Sequence, residues 1–250
     1  DGIHYWRVRV RDIAGNFSSW SSTRAVIIDT AKPVIQNNVT GDYIWRNYSG
    51  TTYNVKFYDE LSKLATAYFR IWTSTAQTGS LLINWAQVNT LLINATYYET
   101  LWSIPSSSWT LLQNGTNYVT LRADDLAGNT STWADTFFIR KDILAPPAPA
   151  LNSPSDNTIT SSTAINFAWS EVSDAHAGLD CYEIYISTDQ YFNVYNSSVA
   201  LVSTTTSFVF TEGQYYWRTR AKDFANNYSD WSSTYSLRIS TQIPSIPALL

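Results

Sequence analysis

The residues nearest to metal chemistry lie in one loop. Asp174, His176 and Asp180 fall within SDAHAGLD. Two carboxylates and an imidazole on one loop are donors for zinc or, through the acids, for calcium. The same loop contains Gly178 and joins two strong strand patterns, so a polar turn explains it without an ion. Asp29 and Asp142 precede prolines in IDTAKP and KDILAP, where calcium at a domain joint would sit, but the third such joint, STQIP, has no acid. Acid density around all three falls short of the six to eight oxygens that calcium takes. The expectation is no metal and no other cofactor. His4, the other histidine, lies on the inward phase of a strand, the place of a structural histidine. No acid pair is set up for glycoside hydrolysis. No nucleophile has a base near it in sequence, and there is no phosphate loop or dinucleotide fingerprint. Catalysis by this chain is not expected.

Sequons are the other chemistry-bearing pattern. Asn16, Asn38, Asn47, Asn94, Asn114, Asn129, Asn196 and Asn227 are each followed two residues later by Ser or Thr. Such a site accepts an N-glycan in a secreted protein. Asn16, Asn129 and Asn227 also share one place in a repeated turn, where an asparagine has a purely structural use.

What must position all of these is a stretch that occurs three times. It reads GIHYWRVRVRDIAGNFSSWSS from Gly2, GTNYVTLRADDLAGNTSTWAD from Gly115 and GQYYWRTRAKDFANNYSDWSS from Gly213. Corresponding glycines, Asp12/Asp125/Asp223, Trp20/Trp133/Trp231 and Pro33/Pro146/Pro244 all keep the spacings 113 and 98. A fixed repeat of domain size means tandem copies of one folding unit. Within each copy the residues alternate. Tyr215, Trp217, Thr219 and Ala221 oppose Tyr216, Arg218, Arg220 and Lys222, the mark of a half-buried strand. A turn follows with Gly15, Gly128 or Asn226 at the position that needs positive φ. The turn closes a hairpin whose second strand is expected to begin at the tryptophan.

The outward arginines are placed to stack on that tryptophan: Arg7 and Arg9 on Trp20, Arg122 on Trp133, Arg218 and Arg220 on Trp231. A guanidinium over an indole contributes about 0.5–1 kcal/mol at a surface. An Arg–Trp ladder that stiffens the sheet is the favoured reading, and an aromatic platform for sugar is the other.

These strands resemble the last two strands of fibronectin type III and related bacterial immunoglobulin-like repeats, with YYWRxRAxD, a Gly/Asn turn and a WS pair. SSWSS and SDWSS also resemble the Trp–Ser motif of cytokine-receptor modules. The resemblance implies all-β, tandem antiparallel β-sandwiches truncated at both ends.

Composition agrees with that class: 250 residues, 44% hydrophobic, 14% charged, with 17 Tyr and 11 Trp. Low charge with abundant aromatics suits strands. A net charge of −4 without a basic cluster argues against nucleic acid. No apolar run approaches the ~20 residues of a membrane helix. One cysteine, Cys181, allows no internal disulfide.

Four segments follow. Residues 1–32 are the last two strands of a sandwich whose remainder is missing or supplied by a neighbour. Residues 33–143 are an immunoglobulin-like sandwich with an insertion at 74–114. Residues 144–243 are a fibronectin type III-like sandwich, and 244–250 begin the next repeat. Both ends thus fall inside repeats, as in a window cut from a longer array or a processed subunit. The function expected is structural: a secreted or cell-surface stalk, sheath or filament, assembling head-to-tail or by strand sharing with copies of itself or adjacent repeats. The alternatives are an adhesin or carbohydrate-binding module that meets surface glycans or other cells through 74–114, and a non-catalytic spacer of a larger extracellular enzyme.

Overall fold

The computed structural model describes residues 1–39, 41–88, 92–194 and 197–243, with 197–199 by backbone alone. Asn196, Pro244 and the expected start of a further repeat at 244–250 lie outside them, as do residues 89–91 of the insertion. The chain divides into two compact units, 1–43 with 49–140, and 44–48 with 141–250.

The first unit opens with β1 (Gly2–Trp6) and β2 (Arg24–Ile28), paired antiparallel. Next come β3 (Val34–Asn37), β5 (Thr52–Tyr58), β6 (Leu64–Trp72), β7 (Leu81–Gln87) and β8 (Tyr97–Ser103); the two-residue β4 (Trp45–Arg46), between β3 and β5 in the chain, falls in the 44–48 segment of the second unit. A short helix α1 (Ser106–Trp109) leads into β9 (Gly115–Asp125) and β10 (Thr130–Lys141). One sheet runs β3-β5-β8, the other contains β10-β9-β6-β7. Val55, Phe57, Phe69, Ile71, Val119, Leu121 and Ile139 alternate inward and are almost fully buried between them. The 74–114 insertion is built into this sandwich. It supplies β7 and β8, one edge of each sheet, and α1 sets Trp109 and Leu112 into the core.

In the second unit β11 (Leu151–Ser153), β13 (Ala164–Trp169) and β16 (Thr205–Val209) form one sheet in the order β11-β13-β16. β12 (Thr158–Thr160), β14 (Leu179–Ser187), β15 (Ser197–Leu201), β17 (Gly213–Asp223) and β18 (Tyr235–Ile239) form the other, in the order β12-β18-β17-β14-β15. Phe167, Trp169, Tyr182, Ile184, Ile186, Trp217, Leu237 and Ile239 fill the space between. Trp217 is fully buried, edge-on to Phe167 at 4.9 Å.

The hairpin turns are left-handed in all three copies: φ is +99° at Gly15, +95° at Gly128 and +69° at Asn226. The second strand, however, does not begin at the tryptophan in copies one and three. There it starts at Arg24 and Tyr235, after a non-strand segment held by serines. Val8 and Val10 N–H donate to Ser21 Oγ and Ser18 Oγ at 3.0 and 3.1 Å. Thr219 and Ala221 N–H donate to Ser232 Oγ and Ser229 Oγ at 3.0 and 2.9 Å. Copy two carries Ala134 where the others have Ser21 and Ser232, so one of the two acceptors is gone. Its chain stays a continuous strand from Thr130, with Leu121 N–H donating to Thr136 Oγ1 instead. His4 also departs from expectation. The hairpin at 1–32 is exposed on both faces, His4 included, because no second sheet packs on it among the described residues.

Candidate functional site

The chemistry-bearing residues converge on one construction, built twice. In each unit the turn after the long strand carries an Asp and, four residues on, an Asn. Asp125 Oδ1 accepts Asn129 N–H at 2.8 Å, and Asn129 Nδ2 donates to Asp125 Oδ2 at 2.8 Å and to the Asp29 carbonyl at 3.0 Å. In the second unit Asp223 Oδ1 accepts Asn227 N–H at 2.8 Å. Asn227 Nδ2 donates to Asp223 Oδ2 at 2.7 Å and to the Asp142 and Leu144 carbonyls at 3.1 Å. The asparagine thereby ties the entering segment to the turn of the sandwich that follows it. Copy one keeps only half of this: among the described residues Asn16 donates to Asp12 and to no joint carbonyl.

A third acid joins each clasp. Asp29, Asp59 and Asp125 bring carboxylate oxygens within 4.8 Å of one another, all three side chains buried. Asp142, Asp174 and Asp223 do the same in the second unit. Backbone donors occupy much of this oxygen. Asp29 accepts Ala31 and Ser62 N–H, and Asp59 accepts Lys63 N–H. Asp142 accepts Leu144 and Ala177 N–H, and Asp174 accepts His176 and Gly178 N–H. The donor set is wholly carboxylate, which suits a hard cation such as calcium, but three side chains supply only part of the six to eight oxygens it takes.

The two triads titrate differently. Hydrogen bonding from Ser62, working against burial, and the Ala31 N–H hold Asp29 below the usual carboxylate range. Burial, with the Asp174 carboxylate beside it, pushes Asp142 up. Asp174 is also penalised by burial, but the N–H groups of His176 and Gly178 and the bond from Asp142 hold it down. Of the two acids, Asp142 is therefore the one that holds a proton more readily. A raised folded-state value contributes stability that is full below the unfolded value, near 3.9, and is lost as pH rises through the folded one. The depressed Asp174 works the other way and is lost as pH falls through its own value. Unit two is therefore expected to gain stability on mild acidification from neutrality and to lose it below about pH 4. Asp174→Asn keeps acceptors for His176 and Gly178 and offers Asp142 a permanent N–H. It should flatten the rise above pH 4, read by denaturant unfolding across pH. An unchanged slope would place the titrating group elsewhere.

The sequence-selected residues fall out as follows. Asp174, His176 and Asp180 do not form a metal set. Asp180 lies on β14 at a register shift between Leu179 and Cys181, which turns it to Lys222, 3.1 Å away. His176 contributes its backbone N–H, while Asp174 turns to Asp142 and Asp223. Asp59, Asp125 and Asp223 were not singled out as metal candidates. Asp29/Asp142 and Asp125/Asp223 keep the two repeat spacings, 113 and 98, and that carried the signal, but the third member is set by loop geometry.

Asn129 and Asn227 spend their side-chain N–H groups inside the clasp, so a glycan on Nδ2 would have to break it. Asn47 Nδ2 donates to Asn227 Oδ1. Asn16, Asn38 and Asn94 are exposed, and Asn114 is half-buried.

The ladder is present in copies one and three. Arg7 and Arg9 each lie 4.5 Å from the Trp20 ring, and Arg9 lies 3.9 Å from Phe17. Arg218 and Arg220 lie 4.3 and 4.6 Å from Trp231. Copy two differs. Arg122 lies over Tyr68 and Trp85 and pairs bidentately with Asp124, while Trp133 stays 45% exposed. The continuous β10 carries Trp133 out of the position that the serine-held segment gives Trp20 and Trp231.

No protein-family model and no curated protein matches the chain. Among solved structures, the fibronectin(III)-like modules of Clostridium thermocellum CbhA align at TM-score 0.39 and 13% identity, covering 87% of this chain and all of that one. Chicken CNTN1 FN1-FN3 domains align at 0.36 and 14%, covering 94% and 77%. Titin domains A168-A170 align at 0.44 and 11%, covering 94% and 75%. The strand order itself, a three-stranded sheet facing a larger, mainly antiparallel one, fixes the class. The fold is that of two β-sandwiches in tandem, fibronectin type III-like and immunoglobulin-like in strand order. Among the described residues no helix is long and apolar enough to cross a membrane.

Proposed function

We propose that this chain is a non-catalytic structural stretch of a secreted or cell-surface tandem-repeat protein, a stalk, sheath or filament segment whose modules hold distance and shape. The observation that carries this reading is the recurrence of the clasp. Asp125, Asn129 and Asp29 in one unit, and Asp223, Asn227 and Asp142 in the other, commit the same atoms to fixing how the chain enters each sandwich. Acids that could otherwise do chemistry are spent on geometry, twice and in the same way.

The carbohydrate-binding alternative has less support. Trp85, the indole that the 74–114 segment brings to the sheet surface, is already covered by Arg70 at 4.4 Å and approached by Arg122 at 5.7 Å. Electron microscopy of the native material, with protease shaving of intact cells, tests the proposal. Rods or filaments released by shaving are expected. A compact intracellular particle, or specific glycan capture by the chain on an array, would overturn it.

A further inference from the structure

Residues 1–32 form the one hairpin of the three whose long strand has a neighbour on one side only among the described residues. In the second unit β17 is held from both sides. The serine segment and β18 take one edge, and β14 takes the other in antiparallel register, with Glu183 opposite Arg220 and Cys181 opposite Lys222. Glu183 binds Arg220 at 2.7 Å and Asp180 binds Lys222 at 3.1 Å, while Tyr182, Ile184 and Ile186 go to the core. Arg9 and Arg11 stand in the places of Arg220 and Lys222, and Ser18 and Ser21 hold the inner edge with the same bonds as Ser229 and Ser232.

The outer edge is open. Arg7 to Val10 pair with no strand on that side, and among the described residues neither Arg9 nor Arg11 has a carboxylate partner. The face beside it is apolar and uncovered. Trp6, Val8 and Val10 are 50%, 57% and 72% exposed, where their counterparts Trp217, Thr219 and Ala221 are fully buried. An open edge of alternating N–H and C=O groups, with cations on one face and apolar side chains on the other, specifies its complement.

We propose that the edge Arg7–Arg11 is a docking surface for an antiparallel protein strand alternating apolar and acidic side chains. Its carboxylates meet Arg9 and Arg11, and its apolar residues extend the Trp6–Val8–Val10 face. Charge complementarity and the register of β14 on β17 carry this inference, which does not depend on the structural role proposed above.

The probe is a peptide of residues 177–189, which contains Asp180, Cys181 and Glu183. The register predicts that its Cys181 lies opposite position 11. The full chain carrying Arg11→Cys, with its own Cys181→Ser, should form a mixed disulfide with the peptide under mild oxidation. Trapping should run at least ~10-fold faster than with Ile13→Cys, an exposed position off the edge. It should fall by a similar factor when peptide Asp180 and Glu183 are lysine. Adding Arg9→Glu to the chain should abolish the preference, and peptide Glu183→Arg should restore it. Because these positions are exposed, melting of the variants serves as a folding control. Equal trapping at positions 11 and 13, or indifference to the charge changes, would overturn the proposal. So would a chain whose edge is already closed by self-association and refuses the peptide.

Discussion

Trp217→Ala is expected to unfold the second unit under conditions that leave the first intact, costing roughly 3–5 kcal/mol. Trp217 is fully buried between the two sheets, with Phe167 at 4.9 Å and Tyr235 at 6.0 Å, both edge-on. Truncation removes a large apolar side chain and leaves a cavity whose walls are strand backbones that cannot collapse onto it. The matched control is Trp6→Ala, the same position of the repeat in copy one, half exposed and without a second sheet over it. That change should cost under about 1 kcal/mol. Denaturant unfolding followed by limited proteolysis, which reports each unit separately, makes the comparison. Equal costs would mean that the repeat's tryptophan is not a core anchor in the second unit.

Asn227→Ala should be the most damaging change at the surface of that unit, with a loss of roughly 2 kcal/mol or more. Its side chain donates to Asp223, to the carbonyls of Asp142 and Leu144, and accepts from Asn47. Removing it leaves the buried Asp223 with an oxygen unpaired and frees the entering segment. Asn16→Ala, in the same turn of copy one, breaks one side-chain bond, to the exposed Asp12, and should cost well under half as much. The same measurement carries a second reading. Mass spectrometry of protein from a glycosylating host should find Asn129 and Asn227 bare, because their amides are committed. Glycan at either position in folded protein would contradict the clasp.

Asp29 and Asp142 show how far the sequence reached into the candidate site. Both were visible as acids at equivalent joints, and the turn asparagines were visible as a repeated set. Their meeting was not visible, since Asp29 and Asn129 lie 100 positions apart and Asp142 and Asn227 lie 85 apart. The loop SDAHAGLD misled for a related reason. Proximity in sequence suggested that Asp174, His176 and Asp180 act together, but a strand begins at Leu179 and a register shift at Asp180 sends that side chain across to Lys222. The second copy of the ladder failed through one missing hydroxyl. Ala134 stands where Ser21 and Ser232 accept a backbone N–H, and there the segment stays in the strand, with a left-handed residue, Asp135, at φ +49°.

By itself the sequence determined what depends on local periodicity and on repetition. That covers the long strands and their alternation, the left-handed turns at Gly15, Gly128 and Asn226, and the tandem all-β class. These follow from sterics and from alternation at a period of two, which act within a few residues. Only the tertiary structure decided which carboxylates share a site, which guanidiniums find which rings, and that residues 1–32 lie open where their counterparts are closed. Those outcomes depend on which distant strands come to lie side by side, and a single strand's residues do not encode their neighbours' identity.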